Sequence, residues 1–200
     1  KKLINENINV VHLTRNKSSK HNIKNYEWDW KKNQIDEKCF DEVTDIIHLA
    51  GASIAEKPWT INRKKEIVKS RVLTARLIQN KLAELNHPIN SFISASGVGY
   101  YGAITNSKIH TETDDSHLDF ISDCCVQWEN AVNQFNKSTR TTILRLGIIL
   151  DKDKGALGKI AGIVKNRIGS PIGTGKQFMP WIHLDDAVEM FFHALTNTTT

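Results

Sequence analysis

Four short apolar runs punctuate the chain at wide spacing. They are Asn9–Thr14, Asp45–Ala50, Ser91–Ser96 and Thr142–Leu150. Each is largely continuous and rich in β-branched or apolar residues, the pattern of strands covered on both faces. Helical patterns lie between them. From Thr60 to Leu85, apolar residues fall at Val68, Val72, Ala75, Ile78, Leu82 and Leu85, in steps of three and four that mark one helical face. Leu73 and Leu77 widen that face, so the helix is expected to be buried on two sides. Further helices are expected from about Phe120 to Phe135 and from about Leu184 to Leu195. Strand–helix–strand alternation predicts an α/β fold with a doubly wound parallel sheet.

The ends read as unfinished. Residues 1–7 look like the end of a helix that feeds the first visible strand. A doubly wound nucleotide fold carries another strand and a glycine turn before such a helix. We therefore expect one domain over residues 1–200, truncated at both ends and apparently lacking its first strand and glycine turn. The glycines and prolines gather in residues 169–175, which read as a loop.

Composition narrows the class. The chain has 200 residues, 40% hydrophobic and 24% charged, as a globular domain does. No apolar run approaches the roughly 20 residues of a spanning helix, so no membrane partner is expected. The net charge is +5, but the basic residues are spread. The densest group, Arg63-Lys64-Lys65, lies on the long helix as a solvated face, so nucleic acid is not expected. Cys39, Cys124 and Cys125 show neither a disulfide framework nor metal-ligand spacing. They suit a reducing cytoplasm, and no metal is expected.

Several segments, in order, resemble one family. DIIHLAGASI at 45–54, SFISASGVGYYG at 91–102, ILRLGII at 143–149 and PIGTGKQFMPWIHLDD at 171–186 are similar to extended short-chain dehydrogenases/reductases. With Lys57-Pro58-Trp59 and Ser70-Arg71, they resemble an atypical branch of the NAD-dependent epimerase/dehydratase superfamily, the cell-division-inhibitor-like epimerase-family proteins. The resemblance covers residues 8–196. It implies a Rossmann-type domain that binds NADP(H), with part of the substrate-binding region in 151–183.

What the resemblance implies can be set beside the chemistry of the residues. Leu49, Ala50, Gly51 and Ala52 form the turn that passes the cofactor, where small side chains admit a close backbone approach. Thr14, Arg15 and Asn16 end the first strand, with Lys17 beside them. Arg15 is either the partner of a 2′-phosphate or an exposed loop arginine. Ser96 matches the family's substrate-bonding hydroxyl, and Ser94 either serves the cofactor or packs on the sheet. Gly147 would let the chain pass the nicotinamide.

Lys57, Trp59, Lys176, Trp181 and His183 border the expected substrate pocket. Trp181 either stacks on a ring or packs, and His183 is either structural or catalytic. Asp185 or Asp186 is expected to cap the last helix. The usual Tyr-x-x-x-Lys pair is missing from the helix near Phe120. Tyr100 and Tyr101 are the substitutes, or else structural. Arg145, inside an apolar strand, either pairs with an acid from a neighbouring element, the preferred reading, or approaches the active site.

Two functions follow from different classes. One is an NADP(H)-dependent oxidoreductase or sugar-nucleotide-type epimerase/reductase of a small carbonyl or hydroxyl compound. The other is a catalytically silent dinucleotide sensor that binds a partner protein. The broad helix faces at 60–85 and 120–135 also raise a homodimer.

Overall fold

The computed structural model describes residues 1–15, 23–135, 138–152, 155–167, 169–171 and 173–197. A single helical turn, α1 (Lys2–Asn5), leads into β1 (Val11–Thr14). Strand β2 (Lys24–Asp29) pairs parallel to β1, and β3 (Gln34–Ile35) folds back antiparallel on β2. The alternation Tyr26-Glu27-Trp28 points both rings inward, and Tyr26 and Trp28 are buried.

A second block holds the centre. Strands β4 (Asp45–His48), β5 (Ser91–Gly97) and β6 (Arg140–Leu146) pair in parallel in that order. Helix α2 (Ile61–Glu84) links β4 to β5, and α3 (Phe120–Val132) precedes β6. In the doubly wound order 3-2-1-4-5-6, β2–β1 takes places 3-2 and β4–β5–β6 takes places 4-5-6. Place 1, the strand before the glycine turn, has no counterpart among the described residues. Strands β1 and β4 each end their own block.

The run 142–150 behaves differently from its expected single strand. It splits at Gly147 into β6 and β7 (Ile148–Asp151), and β7 joins a separate pair with β8 (Trp181–His183). A side chain at Gly147 would meet the main chain of Pro180, its Cβ only 2.9 Å from the carbonyl oxygen. Ile148 N–H also donates to that oxygen at 2.8 Å. Close backbone contact thus turns the chain from one sheet to the next. Helix α4 (Gly155–Lys165) lies between β7 and β8, and α5 (Leu184–Thr196) follows β8.

The core explains the broad face of α2. Val72, Ala75, Leu77, Ile78 and Leu82 are buried with Phe92 of β5, the aromatic residues of β2, and Trp128, Ala131 and Val132 of α3. Of the second flank of α2, Leu77 is buried in this core and Leu73 is half-buried. Thr60 caps α2 through its hydroxyl, which accepts from Arg63 N–H. Asp119 caps α3 by accepting from Ile121 and Ser122 N–H. Arg140 reaches from the start of β6 to donate to Ala194 and Leu195 carbonyls, where the α5 dipole is negative.

Candidate functional site

Ligands of open α/β sheets lie outside the carboxyl ends of the strands, near the point where strand order reverses. Here that edge is built by Thr14 and Arg15 after β1, by residues 49–53 after β4, and by Ser96 to Tyr101 at the end of β5. Arg15 is exposed and makes no ion pair among the described residues. Asn16 and Lys17 lie outside the described residues. Leu49 is 63% exposed at the mouth of the turn, whereas Ala50 packs toward the core.

The turn itself is held from α2. Ala52 N–H donates to Ser70 Oγ at 2.8 Å. Arg71 Nη1 donates to Ala52 O at 3.1 Å and to Ile67 O at 2.9 Å. Arg63, buried and paired with Glu66, donates to the Ser53 carbonyl. Gly51 has a reason for lacking a side chain that differs from cofactor approach. A Cβ there would stand 2.9 Å from Arg71 Cζ, so the arginine fills that space.

Beneath the turn is a buried polar chain. His48 is 2% exposed, with Nε2 2.9 Å from Thr74 Oγ1 and Nδ1 3.2 Å from Ser94 Oγ. Trp128 Nε1–H donates to His48 Nδ1 at 3.4 Å. Indole nitrogen can only donate, so Nδ1 is the acceptor and Nε2 carries the proton. Burial, aided by the charge of Arg71, pushes the His48 pKa down to about 4. Ser94 is wholly buried, and its one hydroxyl proton has two acceptors within reach, His48 Nδ1 and the Ala95 carbonyl at 3.0 Å.

Ser96 is at the head of a second network. Its hydroxyl donates to Glu129 Oε1 at 2.6 Å. Arg145 grips the same carboxylate with two bonds, Nε to Oε1 at 2.9 Å and Nη2 to Oε2 at 2.8 Å. This is the expected pairing of Arg145 with an acid. Bonding to Glu129 outweighs burial and holds the guanidinium above its ordinary pKa. Arg145 Nη1 also donates to Tyr101 Oη at 2.7 Å, and Tyr101 donates to the Thr111 carbonyl at 2.9 Å. The Tyr100 ring lies 3.5 Å from the same guanidinium. Its hydroxyl makes no hydrogen bond to a described residue, so of the two tyrosines only Tyr100 keeps a free hydroxyl.

The segment 102–119 straps this network down. Gly102, at φ 92°, lies beneath the ring of His117, and His117 N–H donates to Tyr100 O. Ser122 Oγ on α3 donates to the same carbonyl at 2.6 Å. Asp119 is kept below its usual pKa. Its partial burial opposes this, but N–H donors from Ser122 and Ala103, with His117, prevail.

The substrate-side candidates fall into two groups. Trp59 is half exposed, donates from Nε1 to Ile54 O, and meets Phe120 edge-on at 5.3 Å. Lys57 is exposed in the same loop. Trp181 and His183 stand on β8, next to Gly147, and Lys176 is exposed in the loop before them. His183, rather than Asp185 or Asp186, caps α5, its Nδ1 accepting from Asp185 N–H at 3.3 Å. His48, Arg71 and Glu129 were not singled out in the sequence as site-building residues. Among the described residues, no three His, Cys, Asp or Glu side chains converge as a metal site requires.

A split doubly wound sheet, with a held turn and a serine–tyrosine edge, defines the class of dinucleotide-binding α/β proteins. The chain belongs to the NAD dependent epimerase/dehydratase family, whose model matches residues 1–200. It is 35% identical over 175 residues to the chloroplastic epimerase family protein SDR39U1 homolog of Arabidopsis thaliana, covering 86% of this chain and 48% of that protein. It is 32% identical over 152 residues to epimerase family protein SDR39U1 of Mus musculus, covering 75% of this chain and 52% of that protein. The chain thus spans about half the length of these relatives.

Among solved structures, human epimerase family protein SDR39U1 (isoform 2) with NADPH superposes with a TM-score of 0.84. The identity is 25%, over 100% of this chain and 65% of that one. A nucleoside-diphosphate sugar epimerase from Corynebacterium glutamicum gives 0.79 at 26% identity, over 97% of this chain and 40% of that one. The expected NADP(H) cofactor agrees with the NADPH of the human structure. Among the described residues, no helix is long and apolar enough to cross a membrane.

Proposed function

We propose that this chain forms the dinucleotide-binding body of an NADP(H)-dependent oxidoreductase or epimerase of a small carbonyl or hydroxyl compound. The observation that carries the reading is Arg15. It is exposed at the carboxyl end of β1, where the adenosine ribose of a doubly wound fold rests. A guanidinium with no carboxylate partner among the described residues suits a 2′-phosphate, which it can meet with paired hydrogen bonds. Thr14 would assist, and Leu49, Ala50 and Ala52 would line the cofactor's path. NADPH held there supplies a hydride, and the protein supplies orientation and a proton route.

Tyr100 is the proton donor in this reading. Its hydroxyl is the free one, and its ring lies on a cation. Ser96 and Tyr101 act as its frame, because their hydroxyl protons are already donated to Glu129 and Thr111. Lys57, Trp59, Lys176, Trp181 and His183 would border the substrate, with residues 151–183 contributing part of its pocket. The three buried free thiols support a reducing compartment, which we take as the cytoplasm.

Titration of NADPH and NADH into the full-length protein tests the reading. NADPH should bind more tightly, and Arg15→Asp should weaken NADPH far more than NADH. Equal loss of both would remove Arg15 from the 2′-phosphate. The sensor function is favoured by one specific observation, that α3 carries neither the tyrosine nor the lysine of the usual pair. Tight NADPH binding without turnover on a panel of carbonyl compounds would select it. Turnover lost in Tyr100→Phe with binding kept would select the enzyme.

A further inference from the structure

The helix α2 grips the β4 turn with unusual completeness. Ala52 has its N–H held by Ser70 and its C=O held by Arg71. Ser70 in turn donates to Ile67 O at 3.0 Å, so its oxygen is fixed as an acceptor for Ala52. Arg71 is locked as well. One side of its guanidinium fills the space beside Gly51, and Trp128 lies 5.1 Å away on α3. Its described hydrogen-bond partners are carbonyl oxygens, and no carboxylate among the described residues pairs with it. Arg63 and Arg145, by contrast, each pair with a glutamate.

An interior cation without a counter-charge costs stability unless it does something an apolar residue cannot. Two things distinguish this one. It bonds two carbonyls at once, and its charge stands behind a residue without a side chain at the sheet edge. We propose that Ser70 and Arg71 are positioning residues that set residues 50–53 for the dinucleotide, with Arg71 presenting its charge through Gly51 to the anionic cofactor. This rests on the NADP(H) reading above and extends it to two residues with no direct place in that contact set. Arg15 would hold the adenosine end, two sheet places from the turn, so the clamp acts on the remainder of the cofactor.

The test compares two probes on the full-length protein, NADPH and adenosine 2′,5′-bisphosphate, in Ser70→Ala, Arg71→Met and Arg71→Lys. Ser70→Ala and Arg71→Met should weaken NADPH at least about tenfold while the bisphosphate stays within about twofold. Arg71→Lys should restore part of the NADPH affinity, because it keeps the charge without the two-carbonyl grip. Should the Arg71 variants not fold, Ser70→Ala decides alone, since it removes one hydroxyl. Unchanged NADPH affinity in Ser70→Ala would overturn the proposal. So would equal loss of both probes, the mark of a merely structural role. Wild-type protein that binds neither probe would sink the NADP(H) reading and this proposal with it. Wild-type binding with indifferent variants would sink the clamp alone.

Discussion

His48 ties protonation to folding. Its pKa falls from an ordinary 6.5 to about 4 because burial disfavours the charged ring and Arg71 adds repulsion. The unfolded chain therefore takes up this proton first as pH drops. The stabilisation is whole above pH 6.5 and drains away as pH falls toward 4. A shift of that size corresponds to about 3 kcal/mol at most. Urea unfolding at several pH values, with His48→Gln alongside, should show this slope only in the wild type. Parallel curves would mean that the ring is not held neutral. Gly102 gives a second expectation at this scale. Alanine would meet the His117 ring at a φ of 92°, and should cost about 1–3 kcal/mol in the same assay.

Elements are joined here by polar pairs as well as by apolar faces. Glu129 on α3 receives Ser96 of β5 and Arg145 of β6. Glu129→Ala would leave a guanidinium and a hydroxyl without their acceptor. The cost should be about 2–3 kcal/mol, below the full value for a buried pair because Arg145 keeps some solvent. A loss under about 0.5 kcal/mol by chemical denaturation would show that the pair is not holding α3 to the sheet.

Legibility followed the range of the forces. Continuous apolar runs revealed β4 and β5, and helical periodicity revealed α2, α3 and α5. The Tyr26–Trp28 alternation of β2 was also present, but polar neighbours hid it among loop-like residues. The break at Gly147 could not be read locally, since its cause is the main chain of Pro180, more than thirty residues away. Arg145 announced itself as a charge in an apolar strand. Ser70-Arg71 stood out only as part of the family resemblance, and nothing local showed what Arg71 would bond or that Glu129 would be the partner of Arg145. Those contacts exist only after α2 and α3 have docked.

At the scale of the whole molecule, the described strands fall into three hydrogen-bonded groups, and the two three-stranded blocks share one apolar core. Strand β5 is paired on both sides, whereas β1 is paired with β2 alone. Amide protons of Phe92 to Ser94 should exchange slowest, and those of β1 roughly tenfold faster or more. Equal protection across both blocks would show that they open as one unit. Cys39 lies in that core, and Cys124 and Cys125 are buried on α3, each of the three less than 7% exposed. Burial pushes Cys39 up to about 12 and Cys124 up to about 11, and it raises Cys125 too. Native protein at neutral pH should therefore be almost inert to thiol reagents. The chain thus carries its own reporters: Cys39 marks release of the segment after β3, and the Cys124–Cys125 pair marks the lifting of α3. Whichever group reacts first in a timed labelling experiment would reveal the order in which the molecule comes apart.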